Sequence, residues 1–260
     1  MAGRGSRMAG KQGRAKVARR RAPRRARSAK KASRGIVRLR WLGAVILLAL
    51  AGTVWGWWWL GHWQPPQAQW PVQGVEIGHL DGEVDWTALK AVGADFAYID
   101  ASEGSMARDA DFAGNLEAAR AAGLSVGALH RYDPCQAADR QAANFVTVVP
   151  RDAAMLPPAV ALETIAQDCP TRVTEAAVVS ELITFLNQIE THTGKKAILK
   201  ISPGFEHRYH IAHAIDRNLW LERDWLSPDY AGRPFALWTA NSGLMTAASS
   251  QPLRWVVVGR

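Results

Sequence analysis

From residue 74 onward, short β-rich runs alternate with helix-patterned stretches, and this repeat constrains the fold more than any other feature. Residues 75–79 read as a strand, Asp85 as the cap of a helix over 86–92, and Gly93 as its stop. The unit recurs as strand 96–100 with helix 112–122, ended by Gly123, then strand 125–130 with helix 137–148. Strand 159–163 precedes a long helix, 175–193, closed by Gly194, and strand 196–201 precedes a short helix near 205–214. Three further runs, 219–222, 235–240 and 254–258, have little helix between them. Five βα units and three strands make eight, enough to close an α/β barrel that is parallel at least through its first five strands. An open doubly wound sheet is the rival. No G-x-G-x-x-G follows the first strand, which argues against a dinucleotide site.

The polar residues favour the barrel. Glu76 and His79 lie on or just after the first strand, Asp100 and Glu103 after the second, and His130 ends the third. Glu163 ends the fourth and Glu222 the sixth. In a barrel these carboxyl ends converge on one mouth, where such folds carry their chemistry. Singly, each of these residues could be a surface or capping group, the commoner fate of an acidic side chain. The segment Leu156-Pro-Pro-Ala-Val-Ala-Leu-Glu163 is the most informative of them. Its terminal carboxylate has Ala161 two residues before it, on the same strand face, where a second acid/base group would be expected.

The formal net charge of +9 is unevenly distributed. Residues 1–40 hold 16 of the 32 Lys and Arg and none of the 23 Asp and Glu, so the remainder carries 16 basic against 23 acidic side chains. The larger part of the chain is therefore acidic, and no dedicated nucleic-acid binding is expected. After Arg40 the residues from Trp41 to Gly61 contain no charge, and Trp55, Trp57, Trp58, Trp59 and Trp63 cluster at the far end. That length spans a hydrocarbon core of roughly 30 Å as a helix, with tryptophans at the interfaces. The basic flank keeps the N-terminus in the cytoplasm and exports the residues beyond the span. A cleaved signal peptide is the competing reading, but no small-residue cleavage site comes after the apolar run. The basic tail reads as disordered, and its composition also suits anionic lipid headgroups. The expected organisation is a tail over 1–40, a transmembrane helix over 41–63, a linker over 64–71 and a barrel domain over 72–260.

Cys135 and Cys169 are the only cysteines and fall in the exported part, where a disulfide is permitted. Two unpaired buried thiols are the alternative. His79 and His130 lack metal-ligand spacing. His207, His210 and His213 recur every third residue on a short helix, a better ligand geometry, but an exposed or capping face explains them more simply. Ser202 has no nucleophile-elbow context. No metal and no cofactor is expected.

Taken together, Gly74-Val-Glu-Ile-Gly-His-Leu-Asp-Gly82, Val84-Asp-Trp86, Phe96-Ala-Tyr-Ile-Asp-Ala-Ser-Glu-Gly104, Asp111-Phe-Ala-Gly-Asn115, Ala122-Gly-Leu-Ser-Val-Gly-Ala-Leu-His130 and the 156–163 segment resemble glycoside hydrolase family 25 in order and spacing. These are the Chalaropsis-type lysozymes, or N-acetylmuramidases. The resemblance runs from about residue 72 to Trp238 and weakens toward the C-terminus. It implies a modified TIM-like barrel of five βα units plus three strands, here preceded by one transmembrane helix. It implies action on the β-1,4 bond between N-acetylmuramic acid and N-acetylglucosamine, with peptidoglycan glycan strands as partner. The setting that suits it is a bacterial inner membrane with the barrel on the periplasmic or extracellular side.

The family's centre is an Asp-x-Glu at the end of the fourth strand. Glu163 matches its general acid, Ala161 replaces its Asp, and Glu76 stands for its first-strand Asp. Asp100 replaces a usual Lys, Leu129 and Arg131 an aromatic pair, and Lys200 a Tyr. Glu222 replaces an uncharged small residue, and Trp238-Thr-Ala240 a Trp-Gln-Tyr. Asp100, His130, Glu222, Trp220 and Trp238 are the expected substrate contacts, the two tryptophans either stacking on sugar or filling the core. Two functional readings result: a hydrolase with Glu163 as acid and Glu76, Asp100 or Glu222 supplying the second carboxylate from another strand, or a pseudoenzyme that binds glycan or an envelope partner. A purely structural membrane protein is a third.

Overall fold

The computed structural model describes Gly3 and residues 26–259. The chain divides into two compact units, Met1–Val54 and Trp55–Arg260. Helix α1 (Ala26–Gly61) contains one stretch, Val37–Gly61, long and apolar enough to cross a membrane. The helix starts earlier than the sequence suggested. Residues 26–40 of the segment expected to be structureless are helical, consistent with the high helix propensity of Ala, Arg and Lys next to an established helix. The rest of the basic tail lies outside the described residues.

The second unit carries β1 (Gln73–Ile77), α2 (Trp86–Ala91), β2 (Phe96–Glu103), a two-residue strand β3 (Ala107–Arg108) and α3 (Phe112–Ala121). Then come β4 (Ser125–Arg131), α4 (Ala138–Val148), β5 (Ala159–Leu162), α5 (Glu175–Thr193) and β6 (Ile198–Ile201). Two short helices, α6 (Pro203–Tyr209) and α7 (Ile211–Ala214), precede β7 (Asn218–Glu222), β8 (Leu237–Leu244) and β9 (Leu253–Val258). The single short helix expected near 205–214 is split because His210 takes a left-handed conformation, φ 51°. Asp85 caps α2 as expected, its carboxylate accepting from Ala88 N at 2.9 Å.

Strands β1, β2, β4, β5, β6, β7, β8 and β9 close an eight-stranded mixed barrel, with β3 extending the edge of β2. Pairing is parallel from β1 round to β8, while β9 runs antiparallel to both β8 and β1. The amino end of β9 therefore lies at the same mouth as the carboxyl ends of the others. Apolar side chains form two layers. Phe96, Tyr98, Leu129, Ile198, Trp220 and Val256 fill the barrel, whereas Leu89, Phe145, Leu182, Phe185 and Ile189 pack between barrel wall and helices. Gly127 is needed in that interior: a Cβ there would lie 2.4 Å from the Tyr98 ring. Cys135 and Cys169 form a disulfide with a sequence separation of 34, joining the loop after β4 to the loop after β5.

Candidate active site

Strand side chains alternate between barrel interior and helix layer, so each strand sends every second residue inward. Following that rhythm, the last inward side chains are Glu76 on β1, Asp100 on β2, Arg131 on β4, Lys200 on β6 and Glu222 on β7. Glu163 comes one residue after β5, and Arg254 enters from the start of β9, opposite Glu76 in register. The mouth is thus lined by ionisable groups of both signs directly above the apolar plug.

These groups form one network. Arg131 donates Nη1 to Glu163 Oε2 at 2.9 Å, Nη2 to Asp100 Oδ2 at 2.9 Å and to Glu76 Oε1 at 3.2 Å, and Nε to Asp100 Oδ2 at 3.0 Å. Lys200, only 1% exposed, donates Nζ to Glu76 Oε1 and Glu163 Oε1, each at 3.0 Å, and pairs with Glu222 Oε1 at 2.9 Å. Arg254 pairs with Glu76 at 3.1 Å and donates to Asp81 Oδ2 at 2.7 Å. Gly78 makes room for the arrangement, since a Cβ there would lie 2.4 Å from Asp100 Oδ2.

The electrostatics come from burial set against these partners. Burial pushes the Glu76 carboxyl up, but Lys200, Arg254 and Arg131 outweigh it and hold the group at about 2. Asp100 goes the other way: burial dominates its contact with Arg131, Glu76 adds repulsion, and its pKa rises to about 6. Burial also raises Glu222 against the pull of Lys200. Lys200 and Arg131 are both held more firmly protonated, because their carboxylate partners outweigh the burial that opposes their charge. Three cations thus sit among four mouth carboxylates, and most of the negative charge is neutralised inside the protein.

Glu76, Asp100, Glu163 and Glu222 are brought together as the sequence suggested. Arg131, Asp100, Glu163 and Arg254 also line a cleft of about 400 Å³ with Ser102 and Asp109. Three expected substrate contacts are corrected. His130 faces the helix layer, completely buried, because the inward positions on β4 are Leu129 and Arg131. Its Nδ1 lies 2.9 Å from Ser102 Oγ, its Nε2 3.3 Å from Gln141 Oε1, and its ring 4.7 Å from that of Phe185. Burial lowers its pKa to about 4, so it is a neutral structural group at neutral pH. Trp220 has no exposed surface: it lies beneath Lys200, 5.5 Å from Nζ, and donates Nε1 to Thr239. Trp238 points outward, donates Nε1 to Arg223 O at 2.8 Å and meets Trp70 edge-on. Both tryptophans fill core, and neither offers a face to sugar.

Sequence reasoning treated Arg131 and Lys200 as departures from a pattern and passed over them as site residues. Strand parity was the available signal, since each lies an even number of residues from an inward apolar side chain. Among the described residues, no cluster of three or more His, Cys, Asp or Glu is arranged to hold a metal ion.

Comparison with known proteins agrees with this architecture. The sequence model described as glycosyl hydrolases family 25 matches residues 75–240. Lysozyme M1 of Streptomyces globisporus is 41% identical over 59 residues, which is 23% of this chain and 20% of that protein. The uncharacterized protein YegX of Escherichia coli strain K12 is 26% identical over 176 residues, 64% of this chain and 60% of YegX. The chain therefore spans about a fifth and three fifths of these two relatives. The solved structure of a family 25 glycosyl hydrolase from Bacillus anthracis superposes with a TM-score of 0.69 at 25% identity, covering 76% of this chain and 92% of that one.

Proposed function

This chain belongs to glycosyl hydrolase family 25, and from that membership we propose a membrane-anchored, lysozyme-like protein that holds peptidoglycan glycan strands at its barrel mouth without cleaving them. One observation carries the non-hydrolytic reading: both oxygens of Glu163 are taken, Oε2 by Arg131 and Oε1 by Lys200. A general acid must aim a proton at the glycosidic oxygen, and a second carboxylate must face the reacting carbon. Here Ala161 offers no polar side chain. Losing one electrostatic partner of a transition state costs on the order of a hundred- to a thousand-fold in rate. The cations compound this loss, because a glycosyl transition state develops positive charge beside Arg131 and Lys200.

The anchored arrangement comprises a tail over 1–40, a span over 41–63, a linker over 64–71 and an exported barrel over 72–260. It is supported by the apolar length of Val37–Gly61, the one-sided basic flank and the Cys135–Cys169 bond, which suits an oxidising compartment.

The test is co-sedimentation of the detergent-solubilised full chain with purified peptidoglycan, alongside an assay for released reducing sugar. The expected result is sedimentation with no sugar release above that of Glu163→Gln. Release abolished by Glu163→Gln would overturn the non-hydrolytic reading, and failure to sediment would favour a purely structural protein.

A second reading retains hydrolysis and rests on Asp100. Its pKa of about 6 leaves it partly protonated near neutrality, and its Oδ1 is buried without a hydrogen-bond partner. In that case Asp100 supplies the proton, Glu163 is the opposing carboxylate, and Asp100→Asn abolishes sugar release.

A further inference from the structure

The loops after β7 and β8 leave the barrel at its mouth end and carry exposed apolar side chains that the site does not use. Trp225 is 42% exposed, Leu226 60% and Met245 39%. Trp225 holds a left-handed backbone, φ 63°, a conformation that costs a bulky residue on the order of 1–2 kcal/mol. The conformation is fixed by hydrogen bonds from Trp225 N to Ala240 O at 2.7 Å and from Leu226 N to Asp224 O at 2.8 Å.

Trp225 and Met245 adjoin the point where the apolar helix ends, and Leu226 follows Trp225 directly in the same loop. Trp225 Nε1 donates to Leu60 O at 3.3 Å, and Met245 N donates to Gly61 O at 2.7 Å. The side chain of Met245 also packs on Gly61, where a Cβ would lie 3.8 Å from its Cγ. Asn241 Nδ2 completes the clasp, donating to Leu60 O at 3.0 Å and Trp63 O at 2.9 Å. Leu60 O, which also accepts from Trp63 N, and Gly61 O are thus bonded to the barrel rim.

We infer that Trp225, Leu226 and Met245 form a lipid-docking surface that seats the barrel rim in the interfacial layer of the bilayer. The inference rests on the reading of Val37–Gly61 as a membrane span. Continuity selects the occupant: a chain leaving a bilayer at Gly61 holds these side chains at headgroup level, where Trp and aliphatic groups are favoured. The glycan mouth then opens beside the membrane surface, so the strands it meets are membrane-proximal ones.

The test uses full-length protein in phosphatidylcholine vesicles with a spin label at Leu226→Cys, Ile183→Cys or Leu48→Cys. Oxygen and a water-soluble nickel chelate serve as colliding relaxants. Ile183 is an exposed position on α5, and Leu48 lies within the apolar helix. The expected oxygen-to-chelate collision ratio at Leu226 lies between a high value at Leu48 and a low one at Ile183. A ratio at Leu226 equal to that at Ile183, with Leu48 high, overturns the docking surface and leaves the span intact. A low ratio at Leu48 overturns the span, and the docking surface with it. A Leu226 label shielded from both relaxants lies against protein and also overturns the proposal.

Discussion

Lys200 holds its ammonium 3.0 Å from Glu163 Oε1, on a side chain that is almost fully buried. Its register partner on β5 is Ala161, the residue that replaces the family's Asp. The missing carboxylate and the added ammonium are therefore neighbours: the small side chain leaves space beside the group that now occupies the mouth. Asp100 and Arg131, two further positions at which the resemblance implies other residue types, are bonded to each other at 2.9 Å. Residues that depart from the resembled pattern are thus in register with, or bonded to, one another at the mouth.

Removing Lys200 should therefore destabilise the fold. Lys200→Met leaves Glu76, fully buried, with fewer cations, and breaking a buried ion pair from one side costs about 3–5 kcal/mol. Adding Glu76→Gln to Lys200→Met should recover a substantial part of that loss, because the uncompensated charge disappears. Denaturant unfolding of the single and double variants checks this. A double variant no more stable than Lys200→Met would show that the ammonium acts through packing rather than charge.

Restoring the lost carboxylate alone should not restore cleavage. In Ala161→Asp the new group lies between Arg131 and Lys200, its two cross-strand partners, and becomes a further member of the ion network. Combining it with Lys200→Tyr returns the neighbouring position to the family's residue type and releases Glu163 Oε1. Reducing-sugar release from peptidoglycan should stay at background for the single variant and rise above it for the double. Activity in the single variant would mean that the missing Asp was the whole deficit.

Most of the barrel was legible in the sequence because β-rich and helical patterns alternate regularly through its first five units. Helix α5 falls on the residues expected, since Thr174 caps it and Gly194 stops it in a left-handed conformation. The site was less legible. Strand ends could be located, but the inward or outward sense of each side chain depends on the parity of the whole strand. His130 and Arg131 are adjacent in sequence, yet one is locked among Phe145, Phe185 and Gln141 while the other bridges three carboxylates. Cation placement was likewise hidden, because Lys200 lies within an otherwise apolar strand and finds its partners on β1, β7 and the loop after β5.

Two of the perturbed carboxylates, Glu76 and Asp100, should leave opposite marks on the pH dependence of stability. The Glu76 pKa, lowered from 4.5 to about 2, gives stability that is present above pH 4.5 and lost as pH falls toward 2. The Asp100 pKa is raised from 3.8 to about 6, so the folded state binds the extra proton, and its contribution is lost as pH rises from about 4 through 6. Relative to Asp100→Asn, the wild type should therefore lose stability across that window and run parallel to the variant above and below it. Thermal unfolding at intervals between pH 3 and 8 reads the difference. A constant offset at every pH would show that Asp100 is not perturbed.

The Cys135–Cys169 bond should matter to the site as well as to stability. It closes a loop with a sequence separation of 34, worth roughly 3–4 kcal/mol in the chain-entropy model. It also links the segment after Arg131 to the segment after Glu163, the two ends joined across the mouth by a 2.9 Å ion pair. Cys135→Ser with Cys169→Ser should lower the denaturant midpoint by an amount matching that free energy, and reductant should lower the wild type to the same level. Glycan binding should weaken in the double variant under conditions where it remains folded, because the Arg131–Glu163 separation is no longer fixed from outside the barrel. If peptidoglycan co-sedimentation survives unchanged in the folded double variant, the bond serves stability alone and the ion network sets the mouth geometry without it.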